Sequence, residues 1–301
     1  MRIIVLGAAA GGGFPQWNCG CPGCRRARAG DARPCTQSSL AVSADGERWV
    51  LLNASPDLRQ QIQATPALHP RGLRHSPIGA VVLTNADVDH VAGLLDLREA
   101  HAFTLYASPD VLGVLAGNSL FGVLNPDLVS RRPLDPGATA DLAFPDGPAG
   151  LSLEMFTVPG KVALYLEGEA PVLDAEAGHT VGLELRQGGR RLLYVPGCAR
   201  LTDGLLNRLH GADVVFFDGT VWTDTEMRDA GVGSKTGRRM GHLPIGGPDG
   251  SLAGLAGLRA GRRIYIHINN TNPILLDDSR ERAALAAAGW EVAADGLEIT
   301  L

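Results

Sequence analysis

The sequence predicts an α/β protein in which two β-sheets pack together and helices lie outside them. Three observations carry this. Strand-like apolar runs are spread over the whole length, from Ile3–Leu6 to Leu297–Leu301. Helical patterns fall between them in both halves, near residues 57–64, 92–101, 109–116, 202–210, 251–259 and 279–288. No Pro/Gly/Ser linker of useful length divides the halves, so a single domain over residues 1–301 is expected, long enough to bury a substantial core.

The first strand is Ile3–Leu6. Arg2 is followed by only four apolar residues before Gly7, too few for a signal peptide, and a cytoplasmic address is the expectation. Leu40–Ser43 and Trp49–Asn53 read as a hairpin turning at Asp45-Gly46. Ala80–Leu83 is a short apolar run that ends at the segment TNADVDH, and Thr104–Ala107 follows the helical pattern after it. The second half supplies Ser152–Thr157, Val181–Arg186, Arg191–Val195, Val214–Phe217 and Arg263–Ile268, with Leu297–Leu301 last. Between the halves, 125–150 carries five prolines (Pro126, Pro133, Pro136, Pro145 and Pro148) and reads as a loop-rich insertion.

The composition narrows the class. With 45% hydrophobic and 20% charged residues the chain resembles a soluble globular protein. A formal charge of -5 offers no basic surface for nucleic acid, so no nucleic-acid partner is expected. Apolar runs such as Val111–Ala116 fall well short of a membrane span, so no membrane partner is expected either. Of the five cysteines, Cys19, Cys21 and Cys24 are too tightly clustered for a disulfide framework, and Cys35 and Cys198 stand apart. The oligomeric state is not legible.

Four motifs carry chemistry. GAAAGGG (7–13) follows the first strand, but its spacing is not that of a dinucleotide-binding loop, and Phe14-Pro15 stand where the phosphate-binding helix would begin. These glycines read instead as a tight loop beside a pocket. NCGCPGC (18–24) sets three thiols within six residues; Cys19, Cys21 and Cys24 can meet one tetrahedral zinc, the plain alternative being three free thiols. TNADVDH (84–90) puts Asp87, Asp89 and His90 in one turn between a strand and a helix. Carboxylates and an imidazole so placed can converge on a divalent cation, the alternative being a helix N-cap. His179, His242 and His267 all lie near strand ends, where sites gather in α/β proteins.

The order of strand, x-Asp-His loop, Gly-His before a strand, and strand-ending His resembles the metallo-β-lactamase superfamily, whose loop reads H-x-H-x-D-H and whose fold is an αββα sandwich with metals at one edge. Within it, GAAAGGGFPQWNCGCPGC, TNADVDH, VPGKVALYLE, YVPGC, FFDGTVW and IHINNTNP resemble the pyrroloquinoline quinone (PQQ) biosynthesis B family, over residues 7 to 273. Carried over residue by residue, the superfamily's first metal site becomes Asn85, Asp87 and His179, a weak set. The usual bridging aspartate falls in YVPGC, where Gly197 and Cys198 stand. The second site keeps Asp89, His90 and His267. One carboxylate and two imidazoles suit non-haem Fe(II) with O₂ as co-substrate, and zinc would also accept them. In related phosphodiesterases a histidine completes the cysteine cluster; the matching position here is Asn270, whose amide oxygen is a poorer ligand for a structural zinc.

The resemblance implies a role in making PQQ from a cross-linked Glu–Tyr unit, with the tyrosine ring hydroxylated at the iron. The partners it implies are that precursor, or PQQ itself, and other PQQ biosynthesis proteins. Asp87, His179 and His242 are then candidates for moving protons. Asp218 either orients a ligand histidine or merely forms a strand-end turn. Arg25, Arg26 and Arg200 are candidates to meet substrate carboxylates, solvated surface charge being the plainer reading of each. A zinc hydrolase and a carrier for PQQ or its precursor are the competing functions.

Overall fold

Runs such as Ile78–Val82 and Val214–Asp218 show almost no polar alternation because both of their faces are covered. The computed structural model describes residues 1–301 and holds fourteen strands in two seven-stranded sheets. The first sheet contains β1 (Arg2–Gly7), β2 (Ser39–Ser43), β3 (Trp49–Leu52), β4 (Ile78–Val82), β5 (Phe103–Ala107) and β6 (Val129–Pro133). The second contains β7 (Thr139–Phe144), β8 (Gly147–Thr157), β9 (Val181–Gln187), β10 (Arg190–Val195), β11 (Val214–Asp218), β12 (Arg262–Ile266) and β13 (Glu291–Val292). The last strand, β14 (Glu298–Thr300), returns to pair with β1 at the edge of the first sheet.

Each sheet is antiparallel on one side and parallel on the other: β3 to β6 run parallel, as do β10 to β13. Alternation along the strands divides the core in two. Ile3, Val5, Val50, Leu52, Ala80 and Val82 pack with the second sheet, whereas Ile4, Leu6, Leu51, Val81 and Leu83 pack with helical residues such as Leu58, Leu94, Val111 and Leu115. The result is the expected sandwich of two sheets with helices outside. Loops after β1, β4, β10, β11 and β12 supply the walls of one cleft.

Several elements depart from the sequence reading. The proline-rich stretch 125–150 holds β6 and β7, which are edge strands of the two sheets, and the start of β8, rather than a loop. Pro133 is tolerated because it ends an edge strand. The helical pattern at 92–101 is an α-turn at Val88–Val91 followed by a 3₁₀ segment ending at Leu97. Gly93 explains the tightening: its Cα lies so close to the Ser55 carbonyl that a Cβ would stand 2.1 Å from that oxygen. The pattern at 251–259 is helical only over Ser251–Gly254, where Gly254 and Gly257 disfavour continuation. A helix at Pro22–Ala29, unread in the sequence, begins inside the cysteine motif, with Cys21 as its N-cap and Pro22 in its first turn. No helix is long and apolar enough to cross a membrane.

Candidate metal centre

The loop after β4 is held before it reaches Asp89 and His90, which with His267 form a group that could hold a metal ion. Asn53, in the left-handed region at φ 64, accepts the Thr84 backbone N–H on its Oδ1 at 2.9 Å and donates from Nδ2 to Thr84 Oγ1 at 3.0 Å. Asn85 follows, and its Oδ1 accepts from the Asp87 backbone N–H at 3.0 Å and from His90 Nδ1 at 2.7 Å. That bond fixes the His90 tautomer: Nδ1 carries the proton and Nε2 is a bare lone pair. Nε2 is buried and has no hydrogen-bond partner. Burial pushes the His90 pKa down to about 4, so the ring is neutral. Asp87 occupies the N-cap position of the short helix that follows, but its side chain makes no capping hydrogen bond.

His267 enters from the other sheet, directly after β12. Its φ of 58 is unusual for a residue with a Cβ and costs of order 1 kcal/mol. This turn breaks the strand direction and brings Nε2 to 3.0 Å from Asp89 Oδ2. The His90 and His267 rings meet edge-on with centroids 5.2 Å apart. Ligating atoms of Asp89, His90 and His267 all lie within 4.8 Å of one another, against separations of about 3–4 Å around one ion bound at ~2.1 Å.

The electrostatics ask for a cation. Burial works against ionisation of Asp89, but His90 and the His267 hydrogen bond outweigh it and hold its carboxyl well below the usual range. Burial likewise disfavours a charged His267, yet Asp89 and the surrounding carboxylates push its pKa up. Asp87 goes the other way: burial and then the neighbouring Asp89 raise it, so it is the carboxylate here that most readily keeps a proton. A buried lone pair, an ionised carboxylate and a third donor that can free its Nε2 fit a divalent metal.

A second cluster joins Asp218, His242 and His267. Asp218 Oδ2 accepts from His242 Nδ1 at 2.7 Å and from the Cys198 backbone N–H at 2.9 Å, while His242 stacks on His267 with centroids 5.1 Å apart. These groups converge through Nδ1 atoms already engaged in hydrogen bonds. The cluster therefore orients the rings, and His242 lines the cleft with Nδ1 held by Asp218. Asp218 fits both of its readings: it holds His242, which lies outside the Asp89, His90 and His267 set, and its Oδ1 closes a turn at the strand end by accepting from the Thr220 backbone N–H at 3.0 Å.

The cleft has a volume of about 310 Å³ and is lined by Asn85, Asp87, Asp89, His90, His242 and His267 together with Gly11, Lys161 and Lys235. Gly11 belongs to the glycine-rich loop, and a Cβ there would lie 3.4 Å from Asp89 Oδ2. His179 is not among the lining residues; the chain beside it, at Thr180, bridges to Asn85. Thus Asp87, Asp89, His90, His242, Asp218 and His267 are brought together, and His179 is not. The arginines are elsewhere too. Arg26 pairs with Asp278 at 2.9 Å, Arg200 with Glu176 at 2.8 Å, and Arg25 with the Gly20 carbonyl. The cleft's cations are lysines: Lys161 is paired to Glu167 at 2.8 Å, whereas Lys235 makes no ion pair. The sequence reading missed both, because loops far apart in the chain bring them here.

Cys19, Cys21 and Cys24 form a separate, buried cup. The Asn270 amide projects into it, with Nδ2 at 3.2, 3.8 and 3.3 Å from the three Sγ atoms in that order. Three sulfurs and one amide thus converge, the four donors a tetrahedral zinc would take; turning the amide over presents Oδ1 to the sulfurs. Burial pushes the Cys21 thiol up to about 11, so a bound cation would have to displace its proton.

Comparisons with known proteins bear on the family and the fold. Residues 48–268 match the model of the β-lactamase superfamily domain. The coenzyme PQQ synthesis protein B of Methylobacterium sp. (strain 4-46) is 58% identical over 304 residues, covering 100% of both chains, and that of Methylorubrum extorquens AM1 is 57% identical with the same coverage. Among solved structures, Zn²⁺-bound PqqB from Methylobacterium extorquens superposes with a TM-score of 0.96 at 56% identity over 100% of both chains. A diphosphatase of the PhnP family shares the fold, with a TM-score of 0.69 at 22% identity over 99% of this chain and 97% of its own.

Proposed function

The chain belongs to the coenzyme PQQ synthesis protein B family of the β-lactamase superfamily, and from that membership we propose that it is an iron-dependent oxygenase of PQQ biosynthesis. Its substrate would be a Glu–Tyr-derived precursor, and its reaction hydroxylation of the tyrosine ring. One oxygen atom of O₂ enters a ring C–H bond and the other leaves as water, with two electrons and two protons drawn from an external reductant.

The observation that carries this reading is the donor set: one ionised carboxylate, Asp89, and two imidazoles, His90 and His267, facing a cleft beside positions where a second metal would find only Asn85, Asp87 and Gly197. When bound by these three residues, Fe(II) supplies the O₂-activating chemistry and keeps open positions for co-substrate and substrate, a role zinc with the same ligands cannot fill. The protein's other groups have separable tasks. His242, held through Nδ1 by Asp218, presents Nε2 to the cleft as a proton acceptor. Asp87, whose pKa is raised by burial and then by Asp89, would exchange protons within the same cleft. Lys235 is free to meet a substrate carboxylate, and Asn85 keeps the His90 lone pair directed inward. Cys19, Cys21, Cys24 and Asn270 would hold the structural zinc that fixes the Gln16–Cys24 segment against the residues following His267.

The test is one reaction. Protein purified without oxygen is loaded with Fe(II), given the cross-linked Glu–Tyr compound and a reductant, and exposed to ¹⁸O₂. Labelled oxygen in the ring, lost in His90→Ala, is the expected result. No label, together with tight binding of the quinone, would replace the oxygenase with a carrier.

A further inference from the structure

Thr220 is 3% exposed and lies two residues beyond Asp218, at the end of β11. Its Oγ1 stands 2.6 Å from Asp218 Oδ1, 2.9 Å from His267 Nδ1, 3.0 Å from His242 Nδ1 and 3.0 Å from the His267 carbonyl oxygen. One hydroxyl has a single proton to give, so these contacts can be apportioned. Asp218 Oδ1 is the nearest of these at 2.6 Å, and a carboxylate oxygen is the strongest acceptor in reach. The Thr220 proton goes there. His242 donates its Nδ1–H to Asp218 Oδ2, the nearer and charged acceptor at 2.7 Å. The remaining donor is His267 Nδ1–H, and the acceptor left for it is the Thr220 oxygen.

We propose that Thr220 is a positioning residue that extends the hold of Asp218 to His267, so that one buried carboxylate orients two imidazoles at once, His242 directly and His267 through the hydroxyl. His267 needs such a hold. It follows β12 in a left-handed turn, outside any ladder, and its ring direction decides where Nε2 meets Asp89. A valine would fill the same volume at a buried strand end, so packing alone does not ask for a hydroxyl here. The proposal rests on the metal reading of Asp89, His90 and His267, and assigns the part that supports one ligand.

The experiment uses Co(II), which is spectroscopically visible. Imidazole N–H protons of bound histidines appear as separate, strongly shifted, exchangeable NMR signals, so His267 (held by Thr220) and His90 (held by Asn85) report independently. Thr220→Val is expected to broaden or remove the His267 signal, leave that of His90, and weaken Co(II) binding about 10- to 100-fold. Thr220→Ser, which keeps the hydroxyl, should retain both signals and bind within threefold of the parent. Should the valine variant fail to fold, Thr220→Ala takes its place with the same split expected. A valine or alanine variant with unchanged affinity and both signals intact overturns the proposal, as does equal loss of both signals. If the unaltered chain binds no Co(II) in the cleft, the metal reading itself falls and this assignment with it.

Discussion

Asn85 stands where metallo-hydrolases of this fold place a ligand histidine, and its replacement separates a decayed hydrolase site from a rebuilt one. Here its Oδ1 is an acceptor for His90 at 2.7 Å between side chains that are 7% and 2% exposed. Asn85→Ala removes that acceptor and strands a buried imidazole N–H, a loss of about 1–3 kcal/mol. Thr84 Oγ1, already 3.4 Å from His90 Nδ1, can take up part of the bond, so the lower half of that range is expected. The loop also loses the Asp87 N–H contact to the same oxygen at 3.0 Å. Together these should weaken the cleft metal by about 10-fold or somewhat more, equivalent to about 1.4 kcal/mol or above. The assay is competition against a chromophoric chelator, with the cysteine site saturated first. Asn85→His sharpens the test. A decayed hydrolase would regain a ligand and a second cleft metal; a rebuilt site would lose the acceptor that aims His90 and bind its single metal more weakly. A second metal in Asn85→His, or an Asn85→Ala variant within threefold of the parent, would refute the reasoning.

Three further outcomes are expected. Lys235→Ala should weaken binding of carboxylate-bearing tyrosine compounds to the zinc-loaded, redox-silent protein by about 10-fold, while Lys235→Arg retains most of it; equal binding by the alanine variant, measured calorimetrically, would remove Lys235 from substrate recognition. Glu226 is buried, and burial raises its pKa from 4.5 to about 7. Because the folded-state value is the higher one, its favourable contribution is fully present below pH ~4.5 and is lost as pH rises through ~7, by at most roughly 3–4 kcal/mol. Glu226→Gln should flatten that part of the stability–pH curve in denaturant titrations, and an unchanged slope would count against the burial argument. Cys24→Ala should lower metal content by one equivalent, leave the cleft metal in place, and reduce the melting temperature by about 5–10 °C; loss of both metals would mean that the two sites are not separable.

How much of this was legible in the sequence follows from burial. Strands such as β4 and β11 are covered on both faces, so their apolar runs announce them without any partner in view. β6 and β7 are half-exposed edges with mixed side chains, and prolines that mark turns elsewhere are tolerated at such edges, which is why 125–150 reads as a loop. The same division runs through the site. Asp89, His90 and His267 are visible as residue types near strand ends, and the family pattern joins them. What each neighbour does is not visible, because it depends on which lone pair faces which donor. His179 fits the hydrolase pattern by position, yet the chain at Thr180 pairs with Asn85 while the Asn85 side chain serves His90. Asp218 and Thr220 lie two residues apart in FFDGTVW, where a strand-end turn and a histidine-orienting pair share one signature. Only the fold, by bringing β12 alongside β11, sets His267 against that hydroxyl, and the carboxylate makes the turn and holds His242 together. Chemistry-bearing residue types can thus be read from one chain, but their protonation and aim are properties of strand neighbours, and those neighbours are chosen by the core.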